Sequence, residues 1–104
     1  MSLWDDVIEE LQADPQVTPG RLFGSRAAKL GRRVFAFEYR GELCVKLGQE
    51  AAAELVAAER AQLFRPGGHS PMRNWAQVPE PDGGDPVRVW VELAEEAKDR
   101  LGDD

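Results

Sequence analysis

The segment from Val17 to Phe37 constrains the fold of this chain more strongly than any other part of the sequence. Its twenty-one residues contain a Pro-Gly pair, a Phe-Gly step, a third glycine and then an aromatic-rich stretch. Glycine and proline supply the backbone angles of tight turns, whereas Val, Phe and Tyr are typical of strands. The segment therefore predicts short strands joined by turns. It indicates a fold and carries no signature of a reaction.

Length and composition indicate a small soluble domain. The chain has 104 residues, and we expect a single domain over residues 1–104. Its one cysteine, Cys44, excludes an internal disulfide, and a free thiol is typical of a reducing compartment. The N-terminus is acidic where a secretory signal would be basic, and no apolar run approaches the ~20 residues of a membrane span. We therefore expect a cytoplasmic protein that has no membrane partner.

The formal net charge of -6 is unevenly distributed along the chain. Residues 1–14 carry five acids and no base, residues 15–79 carry ten bases and five acids, and residues 80–104 carry nine acids and three bases. A basic centre between acidic ends is compatible with a nucleic-acid surface. Pairing of acidic helices with a basic sheet edge explains the same pattern. We favour this second interpretation, because dedicated DNA-binding domains are usually basic overall.

Three segments repeat apolar residues at helical spacing, near residues 3–11, 49–60 and 85–101. Ser2 is a suitable N-cap for the first helix. Asp14 ends that helix, since a residue before proline disfavours the helical region. Between the helices, residues 34–39 and 42–47 are predicted to form a hairpin around the Arg40-Gly41 step.

Alternation along these strands predicts which side chains share a face. Phe35, Phe37 and Tyr39 are expected on one face of the first strand, and the apolar residues of the second strand on its core face. Pro19-Gly20 is expected to turn the chain away from the first helix, and Gly24 to lie within the first strand. Two short strands are predicted near residues 63–65 and 74–78. The predicted order α-β-β-β-α-β-β-α describes an α+β domain in which helices pack on one antiparallel sheet.

Several short motifs in this order resemble the N-terminal domain of the TfoX/Sxy competence-regulator family. They are RLFGS at 21–25, GRRVFA at 31–36, LCVKL at 43–47, LFRP at 63–66, PMRNW at 71–75 and the Trp90-x-x-Leu93-Ala94 pattern. Leu22 stands where many relatives carry Met, a change that conserves volume. The family's regulators have a further C-terminal helical domain, so the resemblance is to a short single-domain member. It implies the same α+β fold and a non-enzymatic, regulatory role.

The residues that could carry chemistry are few. His69 is the one histidine, and no nucleophile or orienting partner is identifiable near it in the sequence. Cys44 lies within a strand, where a small packing role is expected, and a metal site needs more ligands of this kind. We therefore expect no catalytic, cofactor-binding or metal-binding residues, no cofactor, and no enzymatic activity. The three tryptophans and four phenylalanines, Phe23 included, are expected to pack in the core.

Three functions remain open at this point. The favoured one is a non-enzymatic regulatory or protein-interaction module, and a sheet with two apolar faces makes a protein partner or a homodimer an alternative to helices on both faces. The second is nucleic-acid binding by the basic hairpin between Arg21 and Arg33, and the third is binding of a small molecule or anion at the loop from Arg65 to Trp75. The candidate contact residues are Arg21, Arg26, Lys29, Arg32, Arg33, Arg65, His69 and Arg73.

Overall fold

The computed structural model describes residues 2–68 and 70–101, which form three α-helices and a six-stranded sheet. The helices are α1 (Leu3–Leu11), α2 (Gln49–Ala57) and α3 (Pro86–Arg100). The strands are β1 (Val17–Leu22), β2 (Ser25–Leu30), β3 (Arg33–Tyr39), β4 (Glu42–Lys46), β5 (Gln62–Phe64) and β6 (Met72–Val78). A 3-10 turn at Pro66–Gly68 follows β5.

All neighbouring strands pair antiparallel, in the order β1-β2-β3-β4-β6-β5. This arrangement confirms the α+β class with one antiparallel sheet packed by helices. The predicted hairpin is also present, with Tyr39 opposite Glu42 across the Arg40-Gly41 turn. One more strand precedes α2 than the sequence predicted, because β1 and β2 are separate strands joined at Phe23 and Gly24.

The additional strand changes the positions of three turn-forming residues. Pro19 and Gly20 lie inside β1, where the sequence predicted a turn. Proline is tolerated there because β1 is an edge strand, whose outward N–H groups pair with nothing in the sheet. A Cβ on Gly20 would lie 2.7 Å from Cδ of Lys29, so glycine makes room for the lysine stem. Gly24, which was expected inside a strand, lies in the β1–β2 turn.

The three helices pack on one face of the sheet and bury the main core. Trp4 of α1 and Trp90 of α3 are fully buried there, as predicted. The Trp90 indole N–H donates to the carbonyl oxygen of Pro79 at 3.3 Å, so its polar atom is satisfied. Asp85 caps α3 by accepting from the backbone N–H of Arg88 at 3.1 Å. This layer holds the sheet in place and leaves its opposite face without a helix among the described residues.

A capping box and an ion-pair network fix α1 to the sheet. The hydroxyl of Ser2 accepts from the backbone N–H of Asp5 at 3.3 Å, while the Asp5 carboxylate accepts from the backbone N–H of Ser2 at 2.9 Å. Arg26 on β2 donates to Asp5 at 2.6 Å and to Glu38 at 3.0 Å. Hydrogen bonds from the Ser2 backbone and hydroxyl, and then the Arg26 guanidinium, lower the pKa of Asp5.

A bulge in β3 alters the predicted division of its side chains. Ala28 pairs with Ala36 and Lys29 pairs with Val34, so Phe35 has no partner on β2. The extra residue breaks the alternation, and the fully buried Phe35 packs in the helix-side core together with Ala36. The expectation that Phe35 shares a face with Phe37 and Tyr39 is therefore wrong for Phe35.

Candidate functional site

The face of the sheet opposite the helices, called here the outer face, carries a second apolar cluster. This outer cluster consists of the buried residues Ala27, Phe37, Cys44, Phe64 and Trp75. Leu22, Val34, Tyr39 and Met72 pack against it and are partly exposed. No helix residue among those described belongs to it. The outer cluster therefore lies under side chains of the sheet and its turns.

Ring contacts show that the sheet curls toward its outer face. The Phe23 ring, in the β1–β2 turn, and the Phe64 ring, on the far edge strand β5, have centroids 5.6 Å apart. Four strand spacings separate β2 from β5, which in a flat sheet is roughly 19 Å. Phe64 also meets Phe37 at 5.1 Å and Tyr39 at 5.0 Å, although these residues lie on β3. The curl brings two distant edges of the sheet together over Phe37.

Phe23 is the exposed part of this aromatic group. Phe23 and Gly24 have φ angles of 53° and 75°, the left-handed pair of a type I′ turn. The turn places the Phe23 ring 5.9 Å from Phe37, yet 54% of the residue stays exposed. The prediction that Phe23 packs in the core is therefore wrong. A two-residue turn leaves its first side chain at the rim of the sheet, where neighbouring strands do not cover it.

Cationic side chains border the outer cluster. Lys29 pairs with Val34, which packs against the cluster, so both lie on the outer face. The Arg40 guanidinium lies 5.2 Å from the centroid of the Tyr39 ring. The carboxylate of Glu42 accepts from the Gln77 side-chain amide at 2.7 Å.

The acids of the chain are concentrated on the opposite side, on helices α1 and α3. These acids are Asp5, Asp6, Glu9, Glu10, Glu92, Glu95, Glu96 and Asp99. A hydrogen bond from the Gln16 backbone N–H, followed by the 3.0 Å hydrogen bond from Lys98 of α3, lowers the pKa of Asp14. Helices α1 and α3 therefore place eight of the nineteen acids of the chain on the helix side of the sheet.

The basic residues of the predicted nucleic-acid hairpin are divided between different surroundings. Arg26 points to the helix side, where Asp5 and Glu38 pair with it, and Lys29 lies on the outer face. Arg21 donates to the carbonyl oxygen of Gly24 at 3.4 Å, and Arg32 is exposed in the β2–β3 turn. The structure therefore does not bring these cations together on one face.

Arg33, the last cation of that hairpin, lies at the opposite end of β3 from the Arg40 turn. It donates to the carbonyl oxygen of Leu101 at 2.8 Å, at the end of α3. There it lines a cavity of about 450 Å³ together with Lys46 and Arg100. Arg33 is thus engaged in holding the end of α3 against the sheet.

Of the two described cations of the loop predicted to bind an anion, Arg65 and Arg73, Arg65 lines a hollow. This hollow has a volume of about 590 Å³ and is lined by Tyr39, Arg40, Val56, Gln62, Arg65 and Gln77, among others. Arg73 is exposed on β6 and is not among the described lining residues. His69 lies outside the described residues. Arg40 takes the place of a second loop cation, and it was not among the sequence candidates.

Cys44 belongs to the packing of the outer cluster. It is fully buried opposite Phe37, and burial, followed by the nearby Glu42 carboxylate, raises the pKa of its thiol to about 12. Such a thiol stays protonated at neutral pH, in agreement with the predicted packing role.

Among the described residues no group of three or more metal-ligating side chains comes together. No helix of residues 2–68 and 70–101 is both long and apolar enough to cross a membrane.

Reasoning from the sequence missed the exposure of Phe23 and the pairing of Arg40 with Tyr39. One signal was available, because each residue directly precedes a glycine in the strand-rich part of the sequence. An X-Gly pair in this position predicts a two-residue turn, whose first side chain lies at the end of the sheet.

Comparison of the chain with protein-family models, with curated proteins and with solved structures found no match.

Proposed function

We propose that this protein is a non-enzymatic interaction module that binds a polypeptide partner on its outer face. One observation carries the proposal: a mostly exposed Phe23 is held in a left-handed turn above a buried aromatic cluster, on the face without helices. An exposed aromatic ring on a rigid apolar base is the usual form of an interface anchor. The resemblance to TfoX-type domains favours a regulatory partner, and this remains a prediction.

The composition of the outer face suits a protein interface. Partly exposed Leu22, Tyr39 and Met72 pack against the same outer cluster that Phe23 contacts, and the Arg40 guanidinium lies beside Tyr39. Aromatic residues, Met and Arg are enriched at interfaces, and a polar rim around an apolar centre is their common arrangement. The partner segment should therefore present an apolar residue to Phe23.

A second copy of the chain fits this face poorly. In a two-fold dimer the same surface meets itself, so both copies would bring an excess of positive charge to the contact, with Lys29, Arg40 and Arg65 against the acid Glu42. Such like-charge contacts oppose association. A different polypeptide is therefore the partner that we propose.

The test selects peptides from a displayed library of random sequences on the immobilised full chain. We expect enrichment of a motif with a large apolar residue, and loss of this enrichment with Phe23→Ser. Val89→Ser is the matched control, because Val89 is a partly exposed apolar residue of α3 that lies outside the outer face and outside the hollow. Selection without a motif, or the same motif with Phe23→Ser, contradicts the proposal.

Single-stranded nucleic acid is the second candidate, favoured by the aromatic rings of Phe23 and Tyr39 and by the Arg40 guanidinium beside Tyr39. Aromatic stacking combined with phosphate contacts is how many proteins bind single strands. A fluorescent oligothymidine at ~50 mM salt tests it, since phosphate contacts weaken steeply as salt rises. Binding that Phe23→Ser abolishes would favour this candidate over a polypeptide.

A further inference from the structure

The hollow beside Arg40 and Arg65 adjoins the proposed binding surface. Tyr39 lines the hollow and its ring packs on Phe64 at 5.0 Å. Phe23 packs on the same Phe64 ring, at 5.6 Å. An extended segment of a few residues that lies on Phe23 therefore reaches the hollow as well, since each residue spans about 3.3 Å.

Two guanidinium groups, those of Arg40 and Arg65, line the hollow, and its described lining residues include no acid. Arg40 lies beside the Tyr39 ring at 5.2 Å, and Arg65 follows directly after β5. Gln62 and Gln77 add amide groups to the lining, and the Gln77 amide donates to Glu42 at 2.7 Å. A guanidinium binds a carboxylate through paired N–H donors, which gives geometric selectivity as well as attraction.

The backbone at Arg40 shows that this side chain is retained at a conformational cost. Its φ is 52°, a left-handed angle that Asn, Asp or Gly adopts more readily. Phe23 has nearly the same angle, 53°, in the other two-residue turn at this end of the sheet. Two turns that each hold an unfavoured large residue, one apolar and one cationic, present two different groups to one ligand.

We propose that the hollow binds an acidic side chain of the partner polypeptide, a few residues from the apolar residue that contacts Phe23. This inference rests on the proposed function and specifies the chemistry of its partner. The net charge of Arg40 and Arg65 favours a carboxylate, and the apolar wall at Val56 and Leu63 accommodates the methylene groups of Glu.

The test extends the peptide selection with synthetic peptides that carry the selected motif. We expect an acidic residue in the motif, and about tenfold weaker binding when it is replaced by its amide. In the Arg65→Gln or Arg40→Gln protein, replacing the acidic residue of the peptide by its amide should weaken binding little further. This is the result that a double-mutant cycle gives for two groups in direct contact. Arg60→Gln removes an equal charge from an exposed site outside the hollow, so it should leave the tenfold difference intact.

The outcomes separate this inference from the proposed function. A motif with an apolar residue and no acid, or an acid whose contribution is unchanged in both Arg variants, overturns the inference and leaves the interaction module in place. Absence of any motif overturns both. Tight binding of oligothymidine in place of peptides also overturns both, and assigns the outer face to nucleic acid.

Discussion

Two residues in left-handed turns connect local backbone cost with the proposed binding surface. Phe23 and Arg40 each precede a glycine, with φ angles of 53° and 52°. Left-handed backbone costs an L-residue other than glycine about 1–2 kcal/mol, and Asn lowers this cost through local hydrogen bonds. Phe and Arg offer the turn no such advantage. The proposed binding surface gives each of these two side chains a role at the end of the sheet.

Replacing Arg40 by Asn should stabilise the fold and weaken binding. The turn gains about 1 kcal/mol, whereas the exposed contact of Arg40 with the Tyr39 ring is worth about 0.5 kcal/mol. Urea unfolding of Arg40→Asn should therefore show a small increase in the free energy of unfolding. A decrease of more than about 1 kcal/mol would show that Arg40 serves the fold, beyond the values expected for such a contact.

Cys44 should be unreactive in the folded protein. Burial raises the pKa of its thiol to about 12, and the thiolate is the reactive form. At pH 8 a disulfide reagent such as Ellman's should modify it only as fast as the protein opens. The same chain in concentrated guanidinium chloride serves as the control and should react at once. Rapid, complete modification of the folded chain would show that the outer cluster is open to solvent.

At the scale of single strands, the β3 bulge and the β1–β2 turn give Phe35 and Phe23 different surroundings. Phe35 is fully buried beneath the helices, and Phe35→Ala should cost about 3–5 kcal/mol of stability. Phe23 is 54% exposed, and Phe23→Ala should cost less than about 1.5 kcal/mol, chiefly through its ring contacts. Urea unfolding of both variants checks the difference. Equal losses would contradict the bulge and the exposed turn.

The N-terminal capping box predicts how the stability of α1 depends on pH. The pKa of Asp5 is lowered from 3.8, mainly by hydrogen bonds from Ser2, so the folded state holds its carboxylate ionised. This contribution is complete above pH 3.8 and is lost as the pH falls through the lower folded value. Stability measured by urea unfolding between pH 5 and about pH 2.5 should decline less steeply in Asp5→Asn than in the wild type. Parallel curves would show that Asp5 does not contribute.

Sequence patterns predicted the elements of this fold better than their faces. The helices and the 34–39/42–47 hairpin were predicted because periodicity, caps and turn residues are local signals. The bulge at Phe35 arises from pairing with β2, and no signal within β3 reveals it. Pro19 and Gly20 were predicted to turn, since nothing local indicates that β1 is an edge strand.

At the scale of the whole molecule, local sequence signals also failed to predict how the residues of the candidate site come together. The sequence showed which residues are cationic, but it did not show what they contact. Arg26 pairs with Glu38, 12 residues away along the chain, and Arg33 donates to the carbonyl oxygen of Leu101, 68 residues away. The outer cluster depends on the curl of six strands, which places Phe23 on Phe64. Such curvature is a property of the assembled sheet. Sequence reasoning therefore recognised the residues of the outer face without recognising the surface.

The distribution of charge over the molecule predicts a monomer. The outer face is bordered by cations, so two outer faces brought together would repel, and the net charge of -6 opposes association in general. Sedimentation velocity at ~0.1 M salt should give the mass of one chain. A dimer that Phe23→Ser dissociates would contradict this prediction and identify a second copy as the occupant of the outer face.

The central claim is that the outer face, with Phe23 at its exposed centre, is the binding surface. The most direct test is an NMR titration of the isotope-labelled full chain with a selected peptide. Binding should shift the amide signals of Gly24, Phe37 and Gly41 and the Trp75 indole signal, while signals of α1 and α3 stay in place. Shifts confined to α1 and α3, with the outer-face signals unchanged, would contradict the claim.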